Sequence, residues 1–332
     1  MLKWAIVGSD KFDSLEFHLK DSLDYLGYQV KIFDIGLINQ KGNAYHYWLS
    51  RISDQYSEWK AKQLAIKVLE YFPDIILVTY RFIHPLTIQI IKEKHPESIV
   101  IHMNPDHLVN LEQQQIIASN YDYLFTKEPF MQRFLKEKAG LNAYYLPEAF
   151  NSRYHRYSDS RGYQKRSEEI DILIFGNLYP YRNRIIEQIV KLGYNTRLYG
   201  VRGPYFPNNL ESHFTNRVIL GEEKANLIYN AKIVFNSFHY AEIEGVNCKY
   251  FEINGIGGFQ INDYKEVIKT YSPVDVSENT FSSIEEVKEL IIRQLANPQR
   301  RHEIAEITSQ HFHQFHTYEN RIASILEIIG KK

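Results

Sequence analysis

The stretch His239–Ile261, HYAEIEGVNCKYFEINGIGGFQI, carries two glutamates, Glu244 and Glu252, with seven residues between them. It follows an apolar strand, and its own pattern predicts a loop, a helix that ends at two glycines, and a second strand. Such a strand–helix–strand unit is typical of α/β folds. A helix that starts near Val246 directs free backbone N–H groups and its positive dipole end at the loop, where they can bind phosphate.

The side chains of this stretch predict a division of roles. Lys249 adds a cation within the first helical turn, next to the expected phosphate. Glu252 lies one to two turns along the helix, where a carboxylate can reach a ribose diol. Glu244 stands at the mouth of the loop, where a sugar attached to the phosphate would lie. The layout predicts a site for a nucleotide-activated sugar.

The pattern resembles the E-x7-E element of retaining glycosyltransferases with the GT-B fold, in the branch grouped with CgeB-like spore-maturation proteins. The resemblance is close from Ile170 to Asp263 and looser toward the N-terminus. It implies an α/β protein of the GT-B class, with two Rossmann-like domains facing a cleft. Further segments resemble that group in the same order: YDYLFTKEPF, YYLPEAF, FGNLYPYRNR, LGEEKANLIYNAKIVFN and HTYENRIASILEII.

Alternating apolar strands and periodic helices likewise predict two α/β domains. Residues 170–316 are expected to bind the nucleotide sugar, and residues 1–150 the acceptor, as the resemblance implies. Residues 151–169 are polar and aperiodic, so we expect a linker there. Residues 317–332 are expected to form a C-terminal helix that crosses back to the N-terminal domain.

Composition narrows the class of protein. A formal net charge of −1 over 332 residues gives no basic field for nucleic acid. The one cysteine, Cys248, fits a reducing compartment. The opening MLKWAIVGSD predicts a strand and not a signal peptide, and no apolar run reaches the length of a membrane span. We expect a cytoplasmic protein without a nucleic-acid partner or a transmembrane segment; peripheral membrane contact stays open.

Other donor-side candidates stand where strands of the second domain end, which is where ligands bind in open α/β sheets. Arginine suits bidentate phosphate contact, and the resemblance implies that Arg182 meets the donor phosphates or the cleft. His239 can hydrogen-bond the sugar or a phosphate oxygen, although an ordinary loop histidine is an alternative. The donor-side set is Gly176, Asn177, Tyr179, Arg182, Tyr199, Gly200, Gly245, Val246, Asn247, Lys249 and Glu252.

Acceptor-side candidates follow strands of the first domain: Ser9, Asp10, Arg81 and His84. Asp106, in the segment HMNPD, is a general-base candidate if the reaction inverts the anomeric centre. It can equally be a turn residue after a proline. The catalytic candidates are therefore Glu244, Asp106 and His239.

The sequence holds no D-x-D triplet of the kind that binds a metal–diphosphate. Arginine, lysine and a helix N-terminus must then meet the phosphate charge, so we expect no metal and no cofactor. The function predicted is a bacterial hexosyltransferase of polysaccharide or glycoconjugate biosynthesis. It moves a sugar from a nucleotide diphosphate sugar to a saccharide, glycolipid or protein acceptor, with retention. Two alternatives stay open: an inverting enzyme with Asp106 as base, and a catalytically silent nucleotide-sugar-binding subunit.

Overall fold

The computed structural model describes residues 1–35, 52–107, 114–157 and 166–331. The chain forms two compact units. Unit 1 comprises Met1–Pro147 and Arg321–Lys332, and unit 2 comprises Glu148–Asn320. None of the described helices is both long enough and apolar enough to cross a bilayer.

Unit 1 is built on a parallel sheet whose strand order, among the described residues, is β2-β1-β3-β4-β5-β6. The strand Ile75–Val78 is buried along its whole length, and its two neighbours in the sheet are buried after their first residue, because helices cover both faces of a parallel sheet. In chain order the elements are β1 (Lys3–Gly8), α1 (Leu15–Tyr25), β2 (Gln29–Asp34), α2 (Asp54–Leu69), β3 (Ile75–Val78), α3 (Pro85–Lys94), β4 (Ile99–Asn104), α4 (Gln115–Ala118), β5 (Tyr123–Thr126), α5 (Pro129–Glu137) and β6 (Ala143–Tyr145).

Unit 2 has a second parallel sheet, with the order β11-β10-β9-β7-β8. Its aliphatic core lies between the sheet and its helices. The elements are β7 (Ile172–Leu178), α6 (Pro180–Val190), β8 (Thr196–Arg202), α7 (Gly221–Asn230), β9 (Ile233–Asn236), α8 (Cys248–Ile256), β10 (Gln260–Asp263), β11 (Thr280–Phe281), α9 (Ile284–Leu295) and α10 (Pro298–Phe315). The last helix, α11 (Tyr318–Ile328), starts in unit 2 and belongs to unit 1 from Arg321 onward.

The predicted fold class, α/β with two parallel sheets and flanking helices, is confirmed. Helix α2 begins at Asp54, where the Ser53 hydroxyl caps it. One helix start differs from the prediction. Helix α8 begins at Cys248, two residues after Val246, because Asn247 is the N-cap and its side chain accepts the N–H of Tyr250 at 3.1 Å.

Part of the predicted linker, residues 151–169, lies in unit 2. Asn151 and His155 are buried there, and the backbone N–H of Asn151 donates to Nδ1 of His155 at 3.0 Å. Burial of these two polar residues is possible because their polar groups bond to each other. Residues 158–165 of the linker lie outside the described residues.

The strand order of unit 2 produces a topological switch point, where ligands commonly bind in α/β folds. From β7 the chain moves outward to β8 and then returns to β9 on the other side of β7. Helices therefore leave β7 and β9 on opposite faces of the sheet. At such a switch point a crevice opens outside the carboxyl ends of the strands, and ligands of open α/β sheets bind in it.

Candidate functional site

The backbone of Gly176 and the side chains of Lys249 and Arg182 meet at the switch point of unit 2. Gly176, near the end of β7, has a φ of +110°. A Cβ at this position would lie 3.3 Å from Nζ of Lys249 and 3.6 Å from Nη1 of Arg182. The absence of a side chain here brings the backbone and two cations close together.

Arg182, in the first turn of α6, ties the two strand ends together. Its Nη1 donates to the carbonyl of Asn177 at 2.5 Å, and its Nε and Nη2 donate to the hydroxyl and carbonyl of Ser237 at 3.0 and 2.7 Å. The side chain is 4% exposed. Arg182 therefore contributes a fixed positive charge beside Gly176, while its hydrogen bonds stabilise the strand ends.

Lys249 places a second cation beside the first. Its Nζ donates to the carbonyl oxygen of Phe175 at 3.0 Å. Burial and, to a smaller extent, the nearby Arg182 lower the pKa of Lys249 to about 7, although Cys248, Glu242 and Glu252 act in the opposite direction. An anion between the two cations would relieve this repulsion, so the site is arranged to receive negative charge.

The N-terminus of α8 is fixed by a buried amide network. Asn247 caps the helix, and its side chain exchanges hydrogen bonds with that of Asn236, at the end of β9, at 3.1 Å. Gln260 of β10 accepts from Asn236 at 3.3 Å and donates to the carbonyl of Tyr250 at 2.9 Å. The helix end, with its positive dipole, is thereby held against the carboxyl edge of the sheet.

Gly200 lies against Gly176 on the neighbouring strand. It has a φ of +125°, and a Cβ here would be 2.0 Å from the carbonyl oxygen of Gly176. Beside it, the guanidinium of Arg217 lies 5.5 Å from the ring centroid of Tyr199. Only glycine fits at position 200, next to the backbone of Gly176, and Tyr199 pairs with Phe175 in the sheet.

Glu252 lies between two basic side chains of unit 2. Its Oε2 lies 3.1 Å from Nζ of Lys224, and its Oε1 lies 3.7 Å from Nε2 of His155. The carboxylate is 8% exposed. Glu252 is thus held by side chains from α7 and from the start of unit 2.

Lys265, two residues after β10, holds the loop that precedes α8 in place. Nζ of Lys265 donates to the carbonyls of Glu242 and Ile243 at 2.6 and 2.9 Å. The ring of His239 meets that of Tyr179 edge to face, 5.0 Å between centroids. Among the other predicted residues of the loop, Gly245 and Val246 are buried and Glu244 is half-buried; Asn177 is exposed and donates to the hydroxyl of Tyr179 at 3.0 Å.

In unit 1 the structure brings two predicted residues together. Arg81 donates to the carboxylate of Asp106 in an ion pair. His84 is the N-cap of α3, where its Nδ1 accepts the N–H of Leu86 at 3.2 Å. The carbonyl of Ser9 accepts from Ser14 at 3.0 Å, and Asp10 is exposed. Within this set an ion pair joins Arg81 and Asp106.

Unit 1 also has a switch point, between β1 and β3, and a carboxylate that the sequence analysis missed lies there. The hydroxyl of Thr79 donates to Glu16 at 2.6 Å. A Cβ at Gly8 would lie 2.2 Å from both Oε1 of Glu16 and Oγ1 of Thr79. The glycine therefore makes room for a buried carboxylate at the start of α1.

Sequence reasoning also missed four residues that support the predicted site in unit 2. Ser237 follows β9 directly, so its place at the strand end was a usable signal. Lys224, His155 and Lys265 had no comparable signal, because their distance along the chain hides their contacts. The four act on Arg182, Glu252 and the loop before α8.

Together these groups concentrate positive charge at the switch point of unit 2. Arg182, Lys249 and the N-terminus of α8 supply positive charge in a partly dry crevice, where electrostatic attraction is stronger than in water. Glu244, in the loop before α8, and Glu252, within α8, supply hydrogen-bond acceptors. The arrangement suits a diphosphate that carries hydroxyl-rich groups at its ends.

Comparison with known proteins agrees with this geometry. Residues 166–327 match a protein family described as "Glycosyl transferase-like". This region covers nearly all of unit 2 and includes every donor-side candidate. No curated protein sequence matches the chain.

Solved structures with the same fold match over almost the whole length. Sucrose-phosphate synthase from Thermosynechococcus elongatus is 12% identical, with a TM-score of 0.67 over 99% of this chain and 98% of that one. A glycosyltransferase from Rickettsia africae ESF-5 is 13% identical, with a TM-score of 0.67 over 98% and 97%. T4 phage BGT in complex with its UDP-glucose substrate is 11% identical, with a TM-score of 0.59 over 99% of each chain.

These likenesses confirm the predicted GT-B fold with two Rossmann-like units. The family match is confined to the C-terminal part. The chain therefore has the GT-B fold, and its residues 166–327 form a glycosyl transferase-like domain.

Proposed function

We propose that this protein is a glycosyltransferase that moves a sugar from a nucleotide diphosphate sugar to an acceptor. The observation that carries the proposal is the pair of cations, Arg182 and Lys249, at Gly176 beside the N-terminus of α8. Two positive side chains next to the positive end of a helix repel one another, and an anion between them would relieve this repulsion.

In this proposal unit 2 binds the donor. Lys249 and the N-terminus of α8 hold the diphosphate, and Arg182 adds a fixed positive charge beside Gly176. Glu252 accepts hydrogen bonds from the ribose, and Glu244 orients the sugar. Tyr199 and Gly200 border the nucleotide base, while His239 and Tyr179 line the sugar end. Unit 1 supplies the acceptor side through Ser9, Asp10, Arg81 and His84.

We infer retention at the anomeric carbon, in line with the E-x7-E spacing and the CgeB-like branch. The bond between the anomeric carbon and the phosphate oxygen breaks, and a bond forms from the acceptor hydroxyl oxygen on the same face. The hydroxyl proton passes to the leaving phosphate oxygen, whose charge Lys249 stabilises. In the inverting alternative Asp106 takes the proton, but its ion pair with Arg81 must then be broken.

The finer assignments extend the same proposal. The donor carries a hexose, the reaction needs no metal ion or cofactor, and the acceptor is a saccharide, a glycolipid or a protein. We place the reaction in the bacterial cytoplasm, within polysaccharide or glycoconjugate synthesis. The single cysteine supports a reducing compartment.

A thermal-shift screen against UDP-, GDP-, dTDP- and CMP-sugars tests donor binding. A ligand at 100 times its Kd stabilises the folded state by about 2.7 kcal/mol. Release of free nucleoside diphosphate without acceptor then separates an enzyme from a catalytically silent binding subunit. NMR of the product's anomeric centre separates retention from inversion. Failure of all four nucleotide classes to stabilise the protein would reject the proposal.

A further inference from the structure

Lys224 occupies an unfavourable position for a lysine. It is the fourth residue of α7 and is 4% exposed. Lysine is almost never buried to this extent unless it is paired, and the positive end of a helix repels a cation. Its Nζ lies 3.1 Å from Oε2 of Glu252. The position of Lys224 is therefore explained by Glu252.

The second oxygen of Glu252 faces another N–H group. The backbone N–H of Asn151 donates to Nδ1 of His155 at 3.0 Å, so the ring carries a proton on Nε2. That nitrogen lies 3.7 Å from Oε1 of Glu252, which is longer than a hydrogen bond but close enough for electrostatic attraction. The two carboxylate oxygens are thus oriented from different sides.

Such restraint matters for recognition. A glutamate has several rotatable bonds, and fixing them before the ligand arrives avoids an entropic cost on binding. A carboxylate has about four lone-pair sites, so accepting from Lys224 is compatible with accepting from two neighbouring hydroxyls. A carboxylate fixed in this way suits a vicinal diol better than a single hydroxyl.

We propose that Lys224 is a positioning residue that holds the Glu252 carboxylate for the 2′- and 3′-hydroxyls of the donor's ribose. The chain then selects ribonucleoside diphosphate donors over their 2′-deoxy counterparts. This inference rests on the proposed function and adds the class of nucleotide to it.

The experiment is calorimetry on the full chain with UDP and 2′-deoxy-UDP, and with GDP and 2′-deoxy-GDP. The variants are then measured with the uridine pair or the guanosine pair, according to which ribonucleotide the wild type binds. We expect the wild type to prefer the ribonucleotide by about tenfold or more, since a hydrogen bond to a charged group is lost in the deoxy ligand. Lys224→Met should lose more affinity for the ribonucleotide than for the deoxy ligand, which keeps only its 3′-hydroxyl for Glu252, so the ratio of the two affinities should fall.

The matched control is Lys232→Met. It removes a lysine from another ion pair of unit 2, in which Nζ lies 2.7 Å from Oδ1 of Asp171. This variant should leave the ratio of the two affinities at the wild-type value. If Lys224→Met fails to fold, Lys224→Gln, which keeps an N–H donor without the charge, takes its place and should lower the ratio.

The possible outcomes separate the inference from the proposed function. Equal weakening of both ligands in a folded Lys224 variant, or an unchanged ratio, would show that Lys224 is only structural. A wild type that binds ribo and deoxy ligands equally would reject the ribose role of Glu252 but not the donor assignment. A wild type that binds no nucleoside diphosphate would reject the proposed function itself.

Discussion

The ammonium group of Lys249 lies 3.0 Å from the carbonyl oxygen of Phe175 and 5.3 Å from the centroid of that residue's ring. A side chain from the first turn of α8 thus reaches the carboxyl end of β7. Because burial and Arg182 lower its pKa to about 7, its charge changes close to neutral pH. Protonation of Lys249 should therefore strengthen the binding of an anion, and a bound anion should raise the pKa of Lys249.

We expect the affinity for a nucleoside diphosphate to fall as the pH rises above about 7. The anion raises the pKa of Lys249, so binding takes up a proton in this range. Between the free and bound pKa values the affinity should fall by up to about tenfold per pH unit. Calorimetry with UDP in buffers of different ionisation enthalpy measures both the affinity and the proton uptake.

Lys249→Arg is the control, because arginine stays charged throughout this range. Its binding should not take up a proton, and the same pH dependence in this variant would contradict the prediction. Stability of the free protein should change in the opposite sense. The pKa of Lys249 is lower in the folded chain than its ordinary 10.5, so its contribution to the free energy of unfolding rises between about pH 7 and 10.5.

Glu252→Gln should weaken binding of the nucleoside diphosphate by roughly 1.5–3 kcal/mol, through the loss of charge-assisted hydrogen bonds to the ribose. The free energy of unfolding should fall too, because buried Lys224 loses its counter-charge. Calorimetry and urea unfolding measure the two effects. Asp171→Asn removes the partner of Lys232 and should reduce stability alone. Wild-type affinity in Glu252→Gln would remove this glutamate from the donor site.

Gly200→Ala should destabilise the protein more than Gly193→Ala. Both glycines have positive φ, +125° and +80°, but only the Cβ at 200 meets a backbone atom, at 2.0 Å; around 193 the space is open. The cost at 193 is then the left-handed backbone alone, about 1–2 kcal/mol. Urea unfolding gives both values. Equal losses would mean that the close approach of Gly200 to Gly176 does not limit the side chain.

Donor binding and sugar transfer should survive excess EDTA. In the proposed site Lys249, Arg182 and the N-terminus of α8 neutralise the diphosphate, so a divalent ion is not required. Initial rates of nucleoside diphosphate release, with EDTA and with EDTA saturated by Mg²⁺, form the comparison. A rate that disappears with EDTA and returns with Mg²⁺ would assign phosphate neutralisation to a metal.

Local sequence patterns were enough to predict the fold class. The run Ile75–Val78 is wholly apolar because it is buried on both faces of a parallel sheet, and that burial is what the pattern predicts. The α8 stretch was found for a similar reason: Asn247, Lys249 and Glu252 lie within two turns of one helix. Only its first residue was misplaced, since a cap depends on whether the Asn247 side chain turns back to the backbone.

What only the tertiary structure decided is which of these residues meet. Lys249 and Phe175 are 74 residues apart, and Arg182 and Ser237 are 55 apart. Both contacts exist because β9 pairs with β7 on the side opposite β8. Strand order of this kind follows from long-range pairing and helix packing, so the hydrophobic periodicity of a single segment does not predict it. The burial of Lys224 beside Glu252 has the same origin: a lysine on a helix predicts exposure until a carboxylate from another helix is brought to it.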